Sequence, residues 1–384
     1  MKKRISIFAS VLIICKVLYL DIAVAAPQLG KPCKQEGSVG HFEGKGFTCA
    51  LVGKKLTWIS SNGIFQGGPS SASKSDLNVD PFVAKVYNAY DHKACKSSHP
   101  NFDANYVSTP NYSLDMLKKQ KVLFEQAMSC YNNYFDRKIT INIALATEND
   151  FDFMASQTTN GKPVFDLIQL RWIKFMMDRI GSGAGRFAGS AGWSKTTDSA
   201  WVIMIDSSKN TQPDAHGAAH EFVHILQSYS KSPISEFYGD GSNDATYLNL
   251  PPWFWEGTAE LFSYASITSS AGLFSAQMAV ARSQANGAPS MKKINSSAEV
   301  VSTLQKLVAP SNQEANMMNY ALGSVACEYL LGTYGYAKYW NIMQSAGTET
   351  DFSQNLKNNI GVTQDEFFAK ASPFVLSQWK LSKF

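Results

Sequence analysis

Charged residues are scarce in this sequence, and neither sign is in marked excess. They make up 17% of the 384 residues, and the formal net charge is +4. The first 25 residues hold four basic residues against Asp21 alone, so they contribute +3 and leave +1 for the rest of the chain. A nearly neutral chain without a basic stripe has no electrostatic reason to bind nucleic acid, so we expect no nucleic-acid partner.

Long apolar runs are absent after residue 25, and no later stretch is long enough to cross a bilayer. The first 25 residues combine a basic start, an apolar run from Ile5 to Ile14 and an Ala23-Val-Ala25 cleavage pattern, as in a signal peptide. An uncleaved membrane anchor is the alternative, but Lys16 and Asp21 would lie inside its span. We therefore expect cleavage after Ala25 and an exported protein, secreted or in the cell envelope, without stable membrane insertion after cleavage.

The sequence has no C-x-x-C spacing, which argues against a zinc site built from cysteines. Five of its six cysteines follow residue 25, so one of them has no partner within the chain. We expect Cys33 to pair with Cys49 and Cys95 to pair with Cys130. Cys327 then remains as a buried thiol in an apolar helix.

Composition divides the remainder of the chain into three parts. Residues 26–59 contain scattered glycines, two cysteines and short β-type runs, which predict a small disulfide-stapled β module. Residues 60–76 are rich in glycine and serine and are predicted to be a linker. From residue 77 to residue 384 the composition is that of one packed domain.

Helical patterns dominate this larger domain. Asp80 and Ser113 are candidate N-caps for the first two predicted helices. The pattern predicts helices over residues 81–90, 113–134, 165–180, 214–229, 253–268, 271–285, 296–308, 315–334 and 364–381.

Strand patterns are fewer and lie before residue 207. Residues 139–145 and 201–206 are largely apolar or alternating and predict two strands. Residues 181–192 are rich in glycine but lack the G-K-S/T ending of a phosphate-binding loop. We expect this segment to be flexible backbone near a cleft.

The strongest chemical signal is His220-Glu-Phe-Val-His224, an H-E-x-x-H motif on a predicted helix. Residues four apart lie on one helix face, so both imidazoles can reach one metal ion. Glu221 lies beside that face and is a candidate general base. His216 and His220 form a rival pair, but Gly217 follows His216 and leaves no base there, so we expect His216 at the rim of the site.

A second cluster follows in Trp253-Phe-Trp-Glu256-Gly-Thr-Ala-Glu260. A catalytic zinc needs a third protein ligand besides the two histidines, and a carboxylate from another helix can supply it. Glu256 and Glu260 are four apart and share a helix face, so one can bind the metal while the other accepts the outer N–H of a ligand histidine. The residues alone do not assign which glutamate has which role.

Together with Tyr320-Ala-Leu-Gly323, these motifs resemble the gluzincin zinc metallopeptidases, the group that includes thermolysin and the alanyl-type aminopeptidases. The resemblance implies one catalytic Zn²⁺ bound by His220, His224 and Glu256, with Glu221 as the base. It further implies that Glu260 supports a ligand histidine and that Tyr320 stabilises the transition state.

The resemblance also implies how substrate binds. The strand before the zinc helix, Trp201 to Asp206, would be the substrate-binding edge of the sheet. The chain departs from the type families in the longer gap between His224 and Glu256 and in lacking the G-A-M-E-N block of aminopeptidases.

These observations predict an α+β fold. A small mixed sheet would pack on the zinc helix, a mostly helical lobe would follow, and a disulfide-stapled β module would precede both. The expected function is an exported zinc-dependent peptidase that acts on a peptide or protein substrate. The alternative is a catalytically inactive, zinc-stabilised binding or envelope protein with a peptidase-like fold; the oligomeric state stays open.

Overall fold

A computed structural model of the chain shows two compact units, Met1–Ser60 and Ser61–Phe384. The structure describes residues 31–32, 39–42, 45–52, 55–60, 79–90, 92, 95, 98–159, 162–163, 165, 167–183, 187–194, 199–210, 214–229, 250–283, 285, 288, 294–309, 313–346, 349 and 351–381. The predicted signal peptide, residues 61–76 of the predicted linker and Cys33 lie outside the described residues.

The first unit contains a three-stranded antiparallel sheet. Its strands are β1 (Val39–Phe42), β2 (Lys45–Val52) and β3 (Lys55–Ser60), in the order β1-β2-β3. Cys49 lies on β2 opposite Trp58. The predicted Cys33–Cys49 bridge cannot be compared, because Cys33 is not among the described residues.

The second unit contains a four-stranded mixed sheet. It is formed by β4 (Phe102–Ser108), β5 (Ile139–Thr147), β8 (Phe187–Ser194) and β9 (Ser199–Asp206). The strand order is β4-β5-β9-β8, with β5 parallel to β4 and β9, and β8 antiparallel to β9. A separate short hairpin consists of β6 (Thr158–Thr159) and β7 (Lys162–Pro163).

Two strand predictions need correction. Residues 201–206 do not form the edge of the sheet, because β9 pairs with β5 on one side and β8 on the other. The edge strand beside β9 is β8, which includes residues 187–192 of the glycine-rich segment that we expect to be flexible backbone. Glycine inside a strand marks a close approach of other groups, and a Cβ atom on Gly189 would lie 2.4 Å from Glu221 Oε1.

Helices form most of the rest of the second unit. They are α1 (Pro81–Ala89), α2 (Leu114–Tyr131), α3 (Phe151–Ser156), α4 (Leu167–Gly181), α5 (Ala215–Tyr229), α6 (Pro252–Ile267), α7 (Ala271–Ser283), α8 (Ser297–Lys306), α9 (Gln313–Met318), α10 (Ser324–Tyr334), α11 (Tyr336–Ser345), α12 (Phe352–Ile360) and α13 (Gln364–Leu381). Asn319–Gly323, between α9 and α10, is a π-helical turn. The predicted α+β class is confirmed.

Local chemistry explains where several helices begin. The Asp80 carboxylate accepts a hydrogen bond from Phe82 N at 2.8 Å, and the Ser113 hydroxyl accepts one from Met116 N at 3.1 Å, which confirms both predicted caps. At the start of α5, the Asp214 carboxylate accepts from Gly217 N at 3.1 Å.

The two helices that carry the motifs are the most completely buried. α6 begins with the apolar run Pro252-Trp-Phe-Trp255 and is buried from Pro252 to Ser266. α5 is buried from Gly217 to Ser228 and contacts β8, β9 and α6. Polar side chains on these helices therefore need partners inside the protein.

Cysteine chemistry agrees with part of the prediction. Cys95 and Cys130 form a disulfide, and Cys327 is a free, buried thiol, as expected. Among the described residues, no helix has the length and apolar character needed to span a membrane.

Candidate metal centre

His220 and His224 project from the same face of α5 and converge. Their Nε2 atoms are 3.1 Å apart, and the ring planes make an angle of 82°. Each residue is only 6% exposed. The helical spacing thus directs the two nitrogens to one point inside the protein.

Glu256 reaches the same point from α6. Its Oε2 atom is 3.3 Å from His220 Nε2 and 3.5 Å from His224 Nε2. The three atoms form a triangle with edges of 3.1, 3.3 and 3.5 Å. Ligands at 2.0–2.1 Å from a tetrahedral zinc are separated by about 3.3–3.4 Å, so this triangle has the size of one tetrahedral face.

A glutamine fixes the tautomer of His224. Gln227 Nε2 donates to the carbonyl of Trp255 at 2.8 Å, so Gln227 Oε1 is the atom that faces His224 Nδ1 at 2.7 Å. An amide oxygen can only accept, and His224 Nδ1 must therefore carry a proton. His224 Nε2 is left with its lone pair, which is the form that binds a metal.

Glu260 has the corresponding position behind His220. Its Oε1 atom is 3.3 Å from His220 Nδ1, and its Oε2 atom is 3.3 Å from His216 Nε2. The negative charge of this carboxylate favours a proton on His220 Nδ1, which leaves Nε2 free to bind a metal. His216, which stacks on Tyr264 with ring centroids 4.1 Å apart, therefore extends the network outward.

Among the described residues, two groups of side chains could hold a metal ion, and they share His220. One is His220, His224 and Glu256, and the other is His216, His220 and Glu260. The first converges through three atoms on one point, whereas in the second the two histidines face different oxygens of Glu260. The second group is therefore a carboxylate between two imidazoles, and the first has the more compact arrangement of candidate ligand atoms.

The electrostatics of the site require a positive charge at its centre. Burial alone would raise the pKa of Glu256, but in the metal-free protein a proton shared with the adjacent imidazoles of His224 and His220 lowers it to about 2. Burial would also raise the pKa of Glu260, but His216 and His220 hold it well below its usual range. Buried carboxylates next to two imidazole lone pairs need a proton or a metal cation between them.

Glu221 lies next to this centre without belonging to it. The side chain is 6% exposed, and burial raises the pKa of its carboxyl. Its Oε2 atom has no hydrogen-bond partner among the described residues. A buried carboxylate with a raised pKa and an unused oxygen beside a candidate metal site is suited to proton transfer.

Tyr320 contacts the ring of His220. Its ring is half-buried and stacks on the His220 ring, with centroids 5.8 Å apart and planes 21° apart. Tyr320 belongs to the π-helical turn, a distortion that is frequent at functional sites. The turn packs on α6, where a Cβ atom on Gly257 would lie 2.4 Å from the backbone of Gly323.

The structure thus brings together all six residues that the sequence singled out for the site. Sequence reasoning missed Gln227, Gly189 and Trp255, whose ring stacks on His224 with centroids 4.9 Å apart. Gln227 stands three residues after His224, a spacing that places both on one helix face and could have identified it. Comparisons with protein-family models, curated proteins and solved structures find no match for this chain.

Proposed function

We propose that the chain is a zinc-dependent hydrolase that cleaves peptide bonds. The observation that carries this proposal is the convergence of His220 Nε2, His224 Nε2 and Glu256 Oε2 on one buried point, with Glu221 beside it. Two imidazoles and one carboxylate are a known ligand set of catalytic zinc, with the fourth position open. Calcium and magnesium are poorer matches because they favour oxygen ligands.

The residues around the centre would each have a separate role in hydrolysis. A bound Zn²⁺ would act as a Lewis acid that polarises a carbonyl oxygen and lowers the pKa of water to about 7. Glu221 accepts the proton of the attacking water and returns it to the leaving amine. Tyr320 donates a hydrogen bond to the developing oxyanion, and Gln227 and Glu260 hold the two imidazoles in their metal-binding tautomers.

An extended polypeptide is the substrate that the sheet favours. Among the described strands, β8 pairs only with β9, so its outer edge can accept hydrogen bonds from an added strand. The same strand approaches Glu221 through Gly189. A peptide added to β8 would therefore run past the candidate base, which supports a substrate-binding role for β8 in place of the predicted residues 201–206.

Export belongs to the same proposal. A signal peptide over residues 1–25 and a disulfide between Cys95 and Cys130 fit an oxidising compartment outside the cytoplasm. The sheet packed on the zinc helix and the helical lobe would then form the catalytic domain. The competing function is a zinc-stabilised binding protein without turnover.

The test uses the purified chain, metal analysis and a broad protein substrate such as casein. We expect about one zinc per chain, and hydrolysis that a chelator abolishes and added zinc restores. Glu221→Gln should retain zinc and lose nearly all turnover. Glu328→Gln is the matched control, since Glu328 is also fully buried but is paired with Arg282 on α7, outside the site.

The possible outcomes separate the two functions. A chain without bound metal would refute the zinc centre. Bound zinc without hydrolysis would favour the binding protein. Loss of zinc in Glu221→Gln would show that Glu221 is a ligand and not the base.

A further inference from the structure

Gly189 lies on the edge strand β8 directly against the side chain of Glu221. A Cβ atom at this glycine would be 2.4 Å from Glu221 Oε1 and 2.7 Å from both Cδ and Cγ of the same side chain. Ordinary contacts of a Cβ atom begin at 3.4 Å. The carboxylate of Glu221 therefore occupies space that any other residue at position 189 would fill.

The two backbones that carry this contact belong to regular elements of the fold. Gly189 is opposite Met204 in the register of β8 and β9, and β9 is held on its other side by β5. The backbone of Glu221 is fixed in the buried helix α5. The overlapping atoms all belong to the flexible Glu221 side chain, so an added methyl group would displace this side chain by about 1 Å.

Other tight glycines of the second unit contact different groups. A Cβ atom on Gly192 would meet Trp201, one on Gly217 would meet Phe187, and one on Gly332 would meet Phe82. Among the described glycines with such overlaps, Gly189 alone faces the candidate base.

We propose that Gly189 is a positioning residue, whose missing side chain creates the space that holds the Glu221 carboxylate between β8 and the metal-binding histidines. This inference rests on the proposed function for its catalytic consequence, but the contact itself does not depend on metal or substrate. Misplacing a catalytic group by about 1 Å can lower a rate by about 100-fold.

The contact is tested first in the metal-free chain by a cycle of thermal unfolding experiments. Gly189→Ala should lower the melting temperature by about 2–6 °C, since overpacking a buried site strains its neighbours. In a Glu221→Ala background the same substitution should have little effect, because the overlapping atoms have been removed. A Cβ atom at Gly332 would lie 2.6 Å from Phe82. Gly332→Ala should therefore lower the melting temperature by the same amount with and without the Glu221→Ala substitution.

The catalytic role is then tested in the zinc-loaded chain. Gly189→Ala should lower kcat by about 100-fold, with KM and zinc affinity within a few-fold of the unsubstituted chain. Gly332→Ala should leave kcat unchanged.

Each part of the inference can fail by itself. If Gly189→Ala lowers the melting temperature equally with and without the Glu221→Ala substitution, the inferred contact between position 189 and the Glu221 side chain is refuted. A normal kcat in Gly189→Ala would overturn the positioning role. If the unsubstituted chain does not cleave peptides, the proposed function fails, while the unfolding cycle still decides whether Gly189 makes the space for Glu221.

Discussion

Replacing Gln227 by leucine should weaken metal binding although Gln227 is not a ligand. Gln227 Oε1 accepts the Nδ1 proton of His224 at 2.7 Å, and both residues are buried. Leucine fills a similar volume but accepts no hydrogen bond. The His224 proton can then move to Nε2, where His220 Nε2 and Glu256 Oε2 lie 3.1 and 3.5 Å away.

The structure gives the size of the expected loss of metal affinity in Gln227→Leu. Metal binding must return the proton to Nδ1, where the variant offers no acceptor. An unsatisfied buried donor costs about 1–3 kcal/mol, which corresponds to a rise of about 5–150-fold in the metal dissociation constant. Measured effects of outer partners of ligand histidines are about 10–100-fold, in the same range.

The assay is competition for zinc between the chain and a chromophoric chelator of known affinity. Gln227→Glu is the matched control, because its carboxylate can still accept from His224 Nδ1 while losing the hydrogen bond to the Trp255 carbonyl. We expect zinc affinity within a few-fold of the unsubstituted chain for Gln227→Glu, even where its melting temperature falls. Unchanged affinity in Gln227→Leu would refute the tautomer argument.

Three further predictions concern other buried groups. Glu256→Ala should nearly abolish zinc binding, whereas Glu260→Ala should weaken it by about 10–100-fold; the opposite ranking in the same competition assay would exchange the two roles. Tyr320→Phe should lower kcat by about 10²–10³-fold with little change in KM or zinc content, and near-normal turnover would remove its hydroxyl from the mechanism. Burial raises the pKa of Glu328 to about 7 despite the nearby Arg282, so folding favours the protonated form. The contribution of Glu328 to the free energy of unfolding should therefore fall by about 3 kcal/mol between about pH 4.5 and pH 7. In denaturant titrations at the two pH values, Glu328→Gln should reduce the fall in unfolding free energy by this amount, and an unchanged fall would contradict the assignment.

The site could be predicted largely from the sequence because its geometry is local to two helices. His220 and His224 share a face of α5 by their spacing alone, and the same spacing relates Glu256 to Glu260 on α6. The spacing could not show how α5 and α6 face each other. That arrangement decides that Glu256 reaches both Nε2 atoms while Glu260 reaches His220 Nδ1 and His216.

The sheet was predicted less well, because strand pairing depends on contacts between distant residues. β4 was missed since Phe102-Asp-Ala-Asn-Tyr-Val-Ser108 carries polar residues and lies at an edge of the sheet. The glycines of β8 lower its strand propensity, so the sequence does not indicate this strand. Those glycines are explained only by what they face, Glu221 in the case of Gly189 and the Trp201 ring in the case of Gly192.

The glycines next to the motif residues show the same dependence on tertiary contacts. Gly257 follows Glu256 and Gly323 ends the block that begins at Tyr320, and the two glycines lie against each other. A Cβ atom on Gly323 would lie 2.4 Å from the carbonyl oxygen of Trp253, a backbone atom that cannot rotate away. α6 and the π-helical turn can therefore approach this closely only where both carry glycine. This close approach brings the Tyr320 ring onto His220, so these two glycines set the geometry of the site without taking part in its chemistry.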